Sequence, residues 1–219
     1  MKSDMDIRRD VEAELRWEPR VSDATAIGVA VKNGVTTISG HVKSYMEKWE
    51  AERAVERVIG VTAVANELDV QLPGDCARTD EDLAQAAVNA LNWNLSVPPG
   101  RIQVEVTKGW VILKGDVDWQ YQRDAVSEAI RYLTGVKGVT NLVALKSPIS
   151  RTAVKTDIEA ALKRSAEIDA QKIGVATNGH IVTLTGEVRS SGERKEAERA
   201  VWAAPGVYAV DNRIAVSPY

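Results

Sequence analysis

The side chains able to do acid–base, nucleophilic or metal chemistry are few and scattered. There are two histidines, His41 and His180, and one cysteine, Cys76. Imidazole titrates near neutral pH and could move a proton, but catalysis needs a nucleophile, a base and an orienting group converging on one spot. His41 follows Gly40, which closes a hydrophobic run, whereas His180 follows a turn glycine, Gly179. The two histidines therefore occupy different places and read as solvent-facing or structural. Cys76 lies in a Pro-Gly segment with no histidine near it, cannot close an internal disulfide, and belongs to no CxxC or metal-spaced cluster. The serine-elbow, zinc-protease and phosphate-loop strings are absent. The expectation is a chain with no catalytic residue, no cofactor and no metal. One further string, Gly135-Val-Lys-Gly138, has the GxxG spacing with which some RNA-binding modules clamp a backbone.

Charge argues against that use. The 219 residues carry 28 Lys+Arg and 31 Asp+Glu, a net charge of −3, so no broad positive field exists to hold phosphates. Nucleic acid is disfavoured as a partner. The first ten residues include six charged side chains where a secretory signal needs an apolar run, and no stretch approaches the ~20 apolar residues of a membrane span. A cytoplasmic chain without a signal peptide or transmembrane segment is expected. With 44% hydrophobic residues it can bury real cores.

The elements that would position any site are written three times. Gly34-Val-Thr-Thr-Ile-Ser-Gly40, Gly109-Trp-Val-Ile-Leu-Lys-Gly115 and Gly179-His-Ile-Val-Thr-Leu-Thr-Gly186 are each followed by a G-V-x-x-V-x-N string, beginning at Gly60, Gly135 and Gly206. The closing glycine and the next are 20 residues apart in every copy, with periods of 75 and 71. Domains at 1–72, 77–146 and 150–217 follow, joined by Pro- and Gly-containing segments around Pro73 and Pro148. The second glycine of the GxxG string is Ala63 and Ala209 in the other copies, so Gly138 is a local variant of the repeat rather than a backbone clamp.

Each unit opens with apolar residues at i, i+4 and i+8: Ile7, Val11 and Leu15; Leu83, Ala87 and Leu91; Val154, Ile158 and Leu162. Asp80 or Thr79 starts the second of these helices. Alternation as in Ile102-Gln-Val-Glu-Val106 then marks a strand with one buried face. Asn33-Gly34 and Asn178-Gly179 suit a type I′ hairpin turn, and Lys108-Gly109 keeps the glycine. The second strand ends at Gly40, Gly115 or Gly186. A second helix follows, capped by Gly60, Gly135 or Gly206 in a left-handed conformation, and releases a third strand. The pattern predicts an α+β fold: three tandem two-layer domains, each α-β-β-α-β, with two helices covering a three-stranded sheet. The pattern leaves open whether the third strand pairs with the first or the second. At about 70 residues such domains are modestly stable alone, which favours packing between copies or chains.

On these motifs the chain resembles the BON domain family (bacterial OsmY and nodulation). Its copies carry a hairpin of the form G-x-V-x-L-x-G-x-V and a later G-V-x-x-V-x-N, matched by 109–117 with 135–141, by 181–188 with 206–212, and by 34–42 with Thr at one aliphatic position. The resemblance implies three tandem BON domains in a non-enzymatic, transport-associated, OsmY-like protein, linked to stress and to phospholipid or envelope surfaces. The alternative it implies is a structural or client-holding protein acting through self-association.

Comparison between copies sorts the tryptophans. Trp49 aligns with Asp124 and Lys195, and Trp202 with Glu56 and Arg131, so both should project from the outer flank of the second helix. Trp110 shares an outer strand face with Ile112. Trp49, Trp110, Ile112 and Trp202 are therefore the candidate contacts for a lipid surface, a protein client or a second subunit, with Lys48, Lys108, Lys114 and Arg199 available for lipid phosphates. Burial between copies is the structural alternative for the same rings. Trp119, which aligns with Ser44 and falls on the core stripe before Ile130, and Trp17 and Trp93, near the ends of first helices, read as structural.

Overall fold

The computed structural model describes residues 2–146, 155–164, 172–204 and 206–217. The first repeat runs α1 (Asp4–Trp17), β1 (Ile27–Lys32), β2 (Val35–Val42), α2 (Tyr45–Arg57) and β3 (Ala63–Val70). The second runs α3 (Asp80–Trp93), β4 (Ile102–Thr107), β5 (Trp110–Val117), α4 (Gln120–Arg131) and β6 (Gly138–Leu145). The third runs α5 (Lys155–Arg164), β7 (Ile173–Asn178), β8 (Ile181–Val188), α6 (Ser191–Trp202) and β9 (Ala209–Val216). These are three small α+β units in the expected order. Val154 and the segment 147–150 lie outside the described residues.

Sequence chemistry explains the starts and stops. Ser3 caps α1 by accepting from the Asp6 N–H while Asp6 reaches back, and Thr79 caps α3 through the Asp82 N–H. Gly60, Gly135 and Gly206, with φ of 101°, 100° and 88°, do not cap the second helices as the sequence pattern suggests but lie three or four residues beyond them, in the turn that leads to the third strand. The last residue of the G-V-x-x-V-x-N string ties strand to helix. The Oδ1 atoms of Asn66, Asn141 and Asn212 accept from the N–H two residues on, and their Nδ2 groups donate to Glu52, to Ser127 and Arg123 O, and to Glu198 and Arg194 O. An asparagine supplies both a donor and an acceptor at one position, which no apolar residue there could do.

The sheet orders are β1-β2-β3, β4-β5-β6 and β7-β8-β9, so the third strand pairs with the second. Each hairpin is antiparallel, and β5–β6 and β8–β9 are parallel. Two details depart from the pattern read in the sequence. The second strand does not end at its glycine but runs on to Val42, Val117 or Val188, because pairing with the third strand continues, as Val117 opposite Leu145 and Val188 opposite Val216 show. In the third hairpin the turn residues are Gly179-His180 rather than Asn178-Gly179: Asn178 pairs with Ile181, and Gly179 has φ 58°. Positive φ falls on the first turn residue alone there, whereas Asn33-Gly34 and Lys108-Gly109 have it on both, as a type I′ turn requires.

The closing glycines carry the tightest constraint. A Cβ at Gly40, Gly115 or Gly186 would stand 2.1, 2.1 or 1.9 Å from the carbonyl oxygen of Ala26, Arg101 or Lys172, at φ of 121–136°. In the second repeat, Leu83, Ala87 and Leu91 of α3 and Val126 and Ile130 of α4 bury against Val111, Leu113, Val117 and Val143 of the sheet. The third repeat packs Ile158, Leu162, Ala197 and Val201 on Val182, Leu184, Val188 and Ile214. The helices cover one sheet face, leaving the other open. The chain divides into two compact units, 1–40 with 50–68 and 149–219, and 41–49 with 69–148.

Candidate functional site

The titratable side chains singled out above do not converge. His41 is exposed, and Cys76 is a free, half-buried thiol. His180 is structural: its Nδ1–H donates to Gly206 O at 2.9 Å and its ring stacks on Tyr208 with centroids 4.4 Å apart. It takes the place in the hairpin turn that glycine holds in the other repeats. Among the described residues no group of three His, Cys, Asp or Glu side chains is placed to hold a metal ion. A shallow recess beside α1, about 210 Å³, is lined by Arg8, Glu12, Arg16 and Thr25, and there Arg8 and Glu12 bond to each other at 2.8 Å.

The tryptophans sort differently from the sequence expectation. Trp17 and Trp93 are not structural: they are 83% and 87% exposed, and Leu95 beside Trp93 is fully exposed. The apolar stripes of α1 and α3 end at Leu15 and Leu91. At about 100° per residue, a side chain two positions later points about 200° away from the core. Trp119 is also not on the core stripe. Helix α4 begins at Gln120, so Trp119 precedes the first turn in extended backbone and is 38% exposed.

Of the residues expected to be contacts, Trp202 is half-buried against the core of its own repeat, with Nε1–H toward Glu198. Trp49 is half-buried, and within the second unit the Arg131 guanidinium stacks over its ring, 3.5 Å from the centroid. That contact joins repeats one and two, as expected if packing between copies covers the ring. In the first unit repeat three meets repeat one: Gly60 N–H donates to Arg189 O, Ser191 N–H donates to Val61 O, and Lys195 pairs with buried Glu56 at 2.5 Å. Trp49 and Lys195 share one repeat position, and Arg131 and Glu56 share another, so the same two places on the second helix serve both junctions.

Trp110 and Ile112 remain on the open sheet face of repeat two. Trp110 is 46% exposed and Ile112 half-buried, joined by Leu142, which comparison of the copies had not singled out. The opposite face, Val111 and Leu113, is core. Of the lysines beside these rings, Lys114 is tied to Glu105 at 2.6 Å.

A second feature went unread in the sequence. The Asp80 carboxylate accepts from the hairpin amides of Lys108 and Gly109, at 2.7 and 2.9 Å, and Asp4 does the same for Asn33 and Gly34. An acidic residue in a first turn reads as dipole complementarity; its service to a turn 28 residues away is visible only in three dimensions. Elsewhere the Arg57 guanidinium holds the Glu18 carboxyl below its ordinary range.

The BON domain family matches residues 3–71, 79–147 and 150–218. The chain belongs to the BON domain family. Its BON repeats are 34% identical over 127 residues to Osmotically-inducible protein Y of Escherichia coli strain K12, an alignment that takes in 54% of this chain and 61% of that protein's length. Two solved structures of CdsD, described as a structural protein of the type III secretion system of Chlamydia trachomatis, align at 16% identity. The first covers 96% of this chain and 92% of its own with a TM-score of 0.25; the second, a C-terminal domain, covers 99% and 100% with 0.26. At those scores neither likeness carries structural weight. No helix among the described residues is long and apolar enough to cross a membrane.

Proposed function

We propose that this triple-BON chain is a non-catalytic, OsmY-like binding protein of the stress response that associates with phospholipid surfaces. The stress assignment is supported by the relative whose name marks it as osmotically inducible. The lipid assignment is carried by one observation: Trp93, 87% exposed, and Leu95, fully exposed, protrude together where α3 ends. Trp17 repeats the indole at the end of α1.

A protruding pair of this kind gains little from a rigid partner unless a matching pocket exists, whereas a lipid interface accommodates it without one. The indole suits the headgroup level, with an apolar body and a polar N–H. Burying Trp93 and Leu95 is worth about 3–5 kcal/mol together. Residues 77–146 hold eight Lys+Arg and eight Asp+Glu, so this repeat brings no net charge to an anionic surface. Binding therefore follows apolar insertion more than headgroup charge.

Sedimentation with phosphatidylcholine vesicles, and with vesicles containing phosphatidylglycerol, tests the proposal. Wild type should bind both, and Trp93→Ala with Leu95→Ala should lower the partition coefficient by roughly a hundredfold to a few thousandfold. Absence of binding to either vesicle would remove the lipid reading.

A further inference from the structure

The open sheet face of repeat two differs from those of repeats one and three at most of its positions, four of them neighbours around Trp110 and Ile112. Trp110 replaces Val35 and Ile181, Gly138 replaces Ala63 and Ala209, Thr140 replaces Ala65 and Asp211, and Glu105 replaces Ala30 and Ala176. The strand registers bring them together: Trp110 lies opposite Gly138, and Ile112 lies between Glu105 and Thr140.

The first three depend on one another. A Cβ on Gly138 would stand 2.5 Å from Cε3 and Cζ3 of Trp110 and 2.7 Å from Cδ2. Three ring atoms at nearly one distance mean that the indole lies broadside on the glycine. Its Nε1–H donates to Thr140 Oγ1 at 2.8 Å, fixing the ring's rotation. Gly138 does not have the positive φ that disfavours side chains, so its backbone accepts alanine, and the nearest obstacle to a Cβ is the indole. The GxxG spacing noted in the sequence thus has its reason in seating a tryptophan flat.

A flat, immobilised indole serves neither the core nor lipid insertion. The core lies on the other face, and an inserting indole protrudes and keeps its N–H for the headgroups, as Trp93 can. What the arrangement does provide is a rigid aromatic platform with a hydrogen-bonding pair beside it. Lys114 Nζ and Glu105 Oε1 are 2.6 Å apart and both solvent-accessible. Together they are neutral, which offers nothing to a phosphate backbone, yet they present a donor and an acceptor side by side. Hydroxyl groups are themselves both donor and acceptor.

We infer that this face is a stacking platform for the pyranose ring of an oligosaccharide. One side of a sugar ring carries C–H bonds with slight positive charge, which match the negative face of the indole. The sugar's hydroxyls bond to Glu105 and Lys114. Lys114 is four residues along β5 from Trp110, about 13 Å at strand rise, so the site is longer than one sugar residue and favours a chain over a monosaccharide.

The test is ¹H–¹⁵N NMR of the full chain titrated with the N-acetylglucosamine tetramer and with cellotetraose, following the tryptophan indole signals. With at least one tetrasaccharide the Trp110 signal should shift saturably while those of Trp17 and Trp93 stay in place, and the corresponding monosaccharide should bind about tenfold or more weakly. Trp110→Ala should abolish the response of the neighbouring backbone amides. Gly138→Ala, a residue the other repeats already carry there, should leave the fold intact, tip the indole off the sheet and weaken binding by about tenfold or more. The inference is overturned if neither tetrasaccharide moves the Trp110 signal, or if binding survives Gly138→Ala unchanged. It is equally overturned if the signal responds only to lipid vesicles or to the protein's own concentration, which would give the face to a membrane or to a second copy.

Discussion

Replacing Asp80 by alanine removes two hydrogen bonds at once, those from the Lys108 and Gly109 amides at 2.7 and 2.9 Å. Lys108 is a non-glycine residue with φ 52°, so the turn it belongs to is held in a conformation that costs an ordinary side chain about 1 kcal/mol or more. A hydrogen bond to a charged acceptor is worth about 1.5–3 kcal/mol when water is excluded. Asp80 and Lys108 are exposed, and water can replace the carboxylate, so each bond falls below that range, at about 1 kcal/mol, and the pair together should contribute about 2 kcal/mol. That corresponds to a roughly thirtyfold larger opening equilibrium constant for the β4–β5 turn. Asp80→Asn keeps the shape with one neutral acceptor oxygen and should retain about half of that free energy. Amide hydrogen exchange measured by mass spectrometry on peptides spanning 101–117 reads the effect locally, without assuming that three repeats unfold together. Exchange should quicken at the β4–β5 hairpin and stay unchanged in the hairpins of repeats one and three; Asp4→Ala should quicken the β1–β2 hairpin instead. Unaltered protection at Lys108 and Gly109 in Asp80→Ala would refute the reasoning, as would an even loss across all three repeats.

Other expectations follow from the same geometry. Gly115→Ala places a methyl 2.1 Å from the Arg101 carbonyl oxygen, and a cost of about 3 kcal/mol or more should show as a loss of cooperative thermal unfolding in repeat two. Because Arg57 lowers the folded pKa of Glu18 below its unfolded value, their interaction stabilises the protein above that value and is lost as pH falls through the folded pKa. The stability gap between wild type and Glu18→Gln should therefore be full at neutral pH and close in acid, as followed by urea titrations at several pH values. A double-mutant cycle on Trp49→Ala and Arg131→Ala should return a coupling of about 1 kcal/mol, whereas zero coupling would mean that the stacked guanidinium does not hold repeats one and two together.

Much of the fold was legible because its constraints are local and thrice repeated. Gly40, Gly115 and Gly186 announce a place without room for a Cβ, and the paired stripes of α3 and α4 announce a buried side. What periodicity cannot carry is the position of a side chain just beyond an element's end. Trp17 and Trp93 lie two residues past the stripe and so point away from the core, and Trp119 lies one residue before its helix begins. Comparison between copies found that Trp49 and Trp202 stand where other copies carry charged side chains, and that Trp110 lies on the outer strand face. It could not tell which were then covered, since an arginine from another repeat lies over Trp49 and Trp202 folds onto its own core. The choice of neighbour for the third strand was likewise hidden, because the same alternating pattern satisfies either sheet order. The role of Gly138 became readable only when the β5–β6 register placed it under Trp110.

The most direct measurement of the membrane proposal is quenching of tryptophan emission by bilayers of brominated phosphatidylcholine, compared between wild type, Trp93→Phe and Trp110→Phe. Quenching in the wild type that is largely lost in Trp93→Phe and kept in Trp110→Phe is the expected result. Undiminished quenching in Trp93→Phe, or none in the wild type at saturating lipid, would contradict insertion at the end of α3.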